Sequence, residues 1–189
     1  ERRALGRSAQ IVSRYLDEMC ADADSASTEI EEDWPGRYGS GEVRITGVSI
    51  YGHTGELQTV VHRSRKVTLA VEAEGSHPAD VTFSCTICCR TSGTKVVNLS
   101  DFDAPNSIDR RVNGSHKIEF VIDHLPLQPG KYFVNFGVHD LSLRPVDVVR
   151  RALTFTVDEP GDSRRPFQGS NKYGYCSPPC RVRVDSPLS

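Results

Sequence analysis

The sequence predicts an all-β fold: a two-sheet antiparallel sandwich of jelly-roll or immunoglobulin-like type, with about eight strands and a short N-terminal helix. Three observations carry this. From Gly41 to Val157 apolar residues recur at every second position, the period of strands buried on one face. Turn dipeptides such as Ser92-Gly93, Asn113-Gly114 and Pro129-Gly130 separate the runs,. No helical pattern falls between them. The 189 residues suit one domain with tails, and some twenty inward apolar side chains, each worth roughly 1.5–3 kcal/mol on burial, offset the chain entropy without a metal or disulfide.

In residues 7–19, Ile11, Tyr15 and Met19 stand at four-residue spacing with Val12 and Leu16 beside them, an amphipathic helix. Three turns cannot bury that stripe alone, so the helix ends something larger or docks on the sandwich. Eight carboxylates and no Lys or Arg lie between Asp17 and Asp33, which reads as a solvated linker. A first strand runs to Tyr51 with Val43, Ile45 and Gly47 on one face. A short second follows within Gly55–Val61. The third alternates Val67, Leu69, Val71 and Ala73 with Thr68, Ala70, Glu72 and Glu74, and the fourth alternates Phe83, Cys85, Ile87 and Cys89 with Thr82, Ser84, Thr86 and Cys88. Lys95–Ser100 is a short fifth. Ile118, Phe120 and Ile122 mark the sixth, Tyr132, Val134, Phe136 and Val138 the seventh, and Leu153, Phe155 and Val157 the eighth. The tail from Asp158 is rich in Gly and Pro; it is either disordered or wraps a neighbour, adding an edge strand at Arg181–Val184. The predicted organisation is a helix at 1–19, an acidic linker at 20–36, the sandwich at 37–157 and the tail at 158–189.

Composition and motifs narrow the chemistry. A net charge of -2 supplies no field to gather nucleic acid. No apolar run approaches the roughly 18 residues that span a bilayer, and no signal-peptide pattern opens the chain. Nucleotide loops, Gly-x-Ser-x-Gly and His-Glu-x-x-His are absent,. Cys85 and Cys88 point to opposite faces of their strand, so they cannot share a metal, and the thiols read as reduced and structural in a cytosolic compartment. Cys176 and Cys180 sit in a turn-like tail where both thiols could converge for a metal or redox role, but no nearby His or further Cys pair completes four ligands. The expectation is a non-enzymatic domain with no metal or cofactor.

The outward face is more informative. If Tyr132, Val134, Phe136 and Val138 point inward, then Phe133, Asn135, Gly137 and His139 point to solvent, as do Ser84 and Thr86 on the fourth strand, which in a jelly roll commonly lies beside the seventh. A ring, an amide, hydroxyls and an imidazole on a rigid sheet can stack on a sugar and bond its hydroxyls. Ser84, Thr86, Phe133, Asn135 and His139 are therefore the candidate carbohydrate contacts; the same pattern also suits an ordinary solvated sheet face. Trp34 reads as a ligand platform or as a pin for the linker. Arg144, Arg150 and Arg151 read as a site for phosphate or an acidic partner, or as solvated loop charge. In His139-Asp140 the Asp reads as a turn former.

Four stretches carry a family resemblance: Arg37-Tyr38-Gly39-Ser40-Gly41-Glu42-Val43-Arg44-Ile45, Leu125-Pro126-Leu127-Gln128-Pro129-Gly130-Lys131-Tyr132, Val138-His139-Asp140 and Arg151-Ala152-Leu153-Thr154-Phe155-Thr156-Val157. Together they resemble the C-terminal carbohydrate-binding domain of Wzt-type ATPases, subunits of ABC transporters that export O-antigen and related polysaccharides. The helix near Gly6–Leu16 is similar to the end of the preceding ATPase domain. The resemblance implies recognition of a lipid-linked polysaccharide, often at a modified chain end, coupled to its export. It also implies a homodimer, a permease partner and a cytoplasmic position at the inner membrane through the transporter complex. The shared residues are mainly framework: Gly39, Gly41 and Gly130 in tight backbone, Pro126 and Pro129 in the loop before the seventh strand. They do not identify sugar contacts, and the Cys-containing tail departs from the family pattern. The alternatives are a sandwich used only for assembly or dimerisation, and a sandwich hydrolase dependent on His139.

Overall fold

The structure, a computed structural model, describes residues 25–103, 111–159, 161 and 174–176. The predicted helix, Cys20, Cys180 and the predicted strand at Arg181–Val184 lie outside the described residues. Eight strands follow in order: β1 (Ser27–Glu29), β2 (Val43–Tyr51), β3 (Val60–His62), β4 (Val67–Cys89), β5 (Lys95–Ser100), β6 (Arg111–Ile122), β7 (Gly130–Asp140) and β8 (Pro145–Asp158). The described residues contain no α-helix, only a 3-10 turn at Asp101–Asp103. Nor is any helix among them long and apolar enough to cross a membrane.

Strand β4 organises the fold. The sequence pattern predicts two strands here, yet residues 67–89 form one strand of 23 residues. Pro78 lacks an N–H to donate, and the ladder to β6 breaks only locally, between Gly75 and Ala79. Asn113-Gly114, expected as a turn, lies inside β6 opposite this irregularity, with Gly75 paired to Gly114. The first half of β4 sits between β2 and β6, and β1 extends that sheet beyond β2. Its second half sits between β5 and β7, and β8 and then the parallel β3 complete the second sheet. One strand thus belongs to both layers.

The inner faces meet in a continuous core that includes Ile45, Ile50, Leu69, Ile87, Val134, Phe136 and Phe155. Tyr132 stacks on Phe155 with ring centres 5.8 Å apart. On β2 the alternation slips. The bulge between Ile45 and Gly47 turns Gly47 toward Glu72 on the outer side, against the predicted inward placement, and brings Val48 and Ile50 into the core,. The acidic segment is also more ordered than a solvated linker. Residues 27–29 pair with β2, and Ile30 donates its N–H to Thr46 O and is buried. At the other end, the described part of the tail returns to its own domain. Gln128 N–H bonds Tyr175 O at 2.9 Å, the Tyr175 hydroxyl lies 3.0 Å from Ser92 Oγ, and Cys176 pairs with Leu127.

Between β1 and β2 the chain crosses to β8, where Tyr38 and Val148 exchange backbone hydrogen bonds of 3.1 and 2.7 Å. Gly39 permits this approach. Its φ is 146°, and a Cβ there would lie 2.2 Å from Val146 O, a contact that requires backbone movement. Gly39→Ala should therefore lower unfolding free energy by more than about 1 kcal/mol, read as an earlier urea midpoint with an unchanged slope.

Candidate functional site

Pairing between β4 and β7 sets the floor of a groove. Ser84 stands opposite Gly137, Thr86 opposite Asn135, Cys88 opposite Phe133 and Thr82 opposite His139. Because successive side chains on a strand point to opposite faces, these residues lie on the side of the second sheet turned away from the core. The segment Trp34–Tyr38 runs along the edge of this face and makes a wall. Trp34 Nε1–H donates to Arg150 O at 3.0 Å, so the ring both pins the segment and lines the groove. The groove is open to solvent and has a volume of about 680 Å³. All five candidate residues, Ser84, Thr86, Phe133, Asn135 and His139, line it, together with Tyr38, Lys95, Arg150 and Arg151.

A buried ion pair holds the wall. Arg37 Nε donates to Asp147 Oδ1 at 3.0 Å and Nη2 to Oδ2 at 2.7 Å, and the two side chains are only 6% and 1% exposed. Arg37 also donates to the backbone oxygens of Glu31 and Ile45, while Asp147 Oδ2 accepts the Ile45 N–H at 2.7 Å. The guanidinium and carboxylate therefore use their hydrogen-bonding capacity within one cluster that ties the wall, β2 and β8 together.

Phe133 requires a correction. It lies on the outer face as the alternation predicts but is 5% exposed, because the Arg151 guanidinium lies 4.9 Å from the ring centre. The accessible ring is Tyr38, 46% exposed, with Arg150 5.1 Å from its centre. Cys88 is likewise buried in the floor, where Asn135 Nδ2 donates to its sulfur at 3.6 Å. Burial raises its thiol pKa, opposed by the positive charges of Lys95 and Arg151. The Cys85 thiol, on the core side, is pushed up strongly by burial. Thr86 donates its hydroxyl to Asn98 Oδ1 at 2.8 Å, which links the floor to β5.

Sequence comparison now decides the family: the profile of the Wzt C-terminal domain matches residues 35–173. The chain belongs to the Wzt C-terminal domain family. That family consists of non-catalytic domains of polysaccharide transporters of the ABC type. A crystal structure of a Wzt C-terminal domain superposes with a TM-score of 0.66 at 15% identity, over 83% of this chain and 98% of that one, which establishes a shared fold. A Niemann-Pick type C2 protein from the Japanese carpenter ant aligns over 64% of this chain and 96% of its own, with 9% identity and a TM-score of 0.41. No curated protein matches the sequence.

Within this Wzt-family domain, sequence reasoning missed the Arg37–Asp147 pair and the Tyr38 ring, both in or opposite stretches it read as framework. Their signal was an Arg-Tyr-Gly run directly after Trp34-Pro35-Gly36, but its partner stands on β8. Asp140, expected to form a turn, does so: its carboxylate accepts the N–H groups of Ser142 and Arg144 and the Arg144 Nε–H. Those bonds lower its pKa, led by the Arg144 backbone N–H. The neighbouring His139 faces the groove, with its ring over Gly137, where a Cβ would lie 2.6 Å from His139 Cε1. Partial burial disfavours the protonated ring and lowers the His139 pKa despite the nearby Asp140 charge.

A base whose folded pKa lies below its unfolded value resists protonation in the folded state, so its contribution to stability is present above the unfolded value and falls on acidification. In an NMR titration the His139 ring resonances should shift with a midpoint below 6.5. A midpoint at or above that value would show that partial burial does not control this imidazole.

Proposed function

We propose that the groove binds the polysaccharide handled by the transporter, and that glycan recognition by this domain couples the finished chain to export. The observation that carries this reading is one concave surface joining the open Tyr38 ring to Thr86, Ser84, Asn135 and His139. Sugars have apolar C–H faces that stack on rings and hydroxyls that bond amides and hydroxyls. Here the ring stands at the wall and the polar groups along the floor, so both kinds of contact are offered within one groove. The floor is rigid because β4 and β7 pair without a register shift from Val81–Asp140 to Cys89–Tyr132. Hydroxyl desolvation offsets much of the contact energy, so affinity is expected to be weak. In this account the domain works as a homodimer beside a permease, at the cytoplasmic side of the inner membrane.

A second reading, assembly without glycan, draws on strand β6, which pairs only with β4 among the described residues and exposes Val121. Unpaired strand edges favour association. Titration with the polysaccharide exported by the cognate transporter separates the two. The glycan reading predicts chemical-shift changes along β4 and β7, and a roughly fivefold weaker Kd in Tyr38→Ala, the loss of about 1 kcal/mol of ring contact. Absence of any response, with a concentration-dependent dimer retained, favours assembly alone.

A further inference from the structure

Two adjacent residues of a regular strand face opposite ways, yet Arg150 and Arg151 both line the groove. The cause is a bulge. The β7–β8 ladder passes from Val134↔Leu153 to Phe136↔Val149, so residues 150–152 stand opposite Asn135 alone. Arg151 takes a φ of 52°, uncommon for a residue with a side chain, and its N–H donates to Asn135 Oδ1 at 2.8 Å. Bulges of this kind re-aim side chains. Here the bulge places one guanidinium against Tyr38 and the other over Phe133. Lys95 enters from the opposite side at a second irregularity, between Ile87 and Cys88 in the β4–β5 ladder.

The charge balance of the groove therefore runs against that of the chain. Lys95 and Arg150 line it, with Arg151 held over Phe133, and Glu31 is the single carboxylate in its lining among the described residues, whereas the whole chain carries a net charge of -2. The Asp147 carboxylate below is already paired with Arg37. Like charges gathered in a concave site repel one another and are stabilised by an anion.

We infer that the groove selects an acidic glycan, one whose sugar carries an oxyanion that seats between Arg150 and Lys95 while its ring meets Tyr38. Guanidinium groups suit this task, since their planar fork bonds two oxygens of a carboxylate or phosphate at once. The inference rests on the glycan reading of the groove and adds the class of sugar to it. Asn135 acquires a second role, as the residue that holds the bulge and so aims both arginines.

The test uses the full chain and two matched probe pairs followed by NMR: oligogalacturonate against its methyl ester, and phosphorylated against unphosphorylated mannopentaose. The carboxylate and phosphate arms distinguish the sources of the oxyanion. At least one acidic probe should bind about tenfold more tightly than its neutral partner, and raising salt toward 1 M should erase that advantage. Arg150→Gln should lose most of it as well. Lys95→Gln, outside the β8 bulge, should weaken the acidic probe alone, and thermal melting verifies that each variant is folded. Equal binding of acidic and neutral probes would overturn the acidic selectivity and leave glycan binding standing. Equal binding of free inorganic phosphate would overturn selection of the sugar. Failure of all four probes would overturn this inference and count against the groove as a glycan site.

Discussion

Arg37 and Asp147 stand 110 residues apart, and their bidentate contact fixes the one part of the groove that strand pairing alone does not build. The floor consists of β4 and β7, whose backbone bonds determine its geometry. The wall is a loop segment, and a loop needs a specific anchor to hold a position. The anchor is buried, so its net contribution to stability is small relative to a well-packed apolar pair, while loss of one partner alone would leave a buried charge. Its effect is on geometry: Asp147 receives Arg37 and the Ile45 N–H together, and Arg37 reaches back to Glu31 O. Trp34 and Tyr38 flank this cluster, and each bonds β8 directly. Moving the ion pair would move both rings.

The site owes its character to departures from regular structure. Perfect alternation would produce a flat outer face of hydroxyls and amides, with one of the two arginines in the core. The bulge at Arg151 and the irregularity at Lys95 convert that face into a charged concavity. The absence of a side chain at Gly137 leaves room for the His139 ring above the floor. A Wzt-family domain can vary such local features, and thereby its ligand, without disturbing the β4-centred sandwich.

Much of this was legible in the sequence because period-two patterning depends only on neighbours along the chain. It placed Phe136 and Val138 inward, and Ser84, Thr86, Asn135 and His139 together on the opposite face. The rest depends on contacts between distant residues. Phe133 was expected at the surface, but its cover comes from Arg151, eighteen positions further on. The third and fourth predicted strands read as separate from the local pattern, whereas β2 and β6 on either side hold β4 extended through Gly75 and Pro78. Positive φ at Arg151 has no local signal, since a glycine would be the usual choice there. The acidic stretch before Trp34 reads as solvated on charge alone, although Ile30 anchors its end in the core.

The central claim, that the Arg37–Asp147 pair positions the groove wall, is tested most directly through Trp34, the single tryptophan of the chain. In Asp147→Ala, below the onset of unfolding, Trp34 emission should shift to the red and become more open to iodide quenching, while amides of the β4–β7 ladder keep their hydrogen-exchange protection. Unchanged Trp34 emission and quenching in a folded Asp147→Ala variant would contradict the account, because the wall would then hold its place without the ion pair.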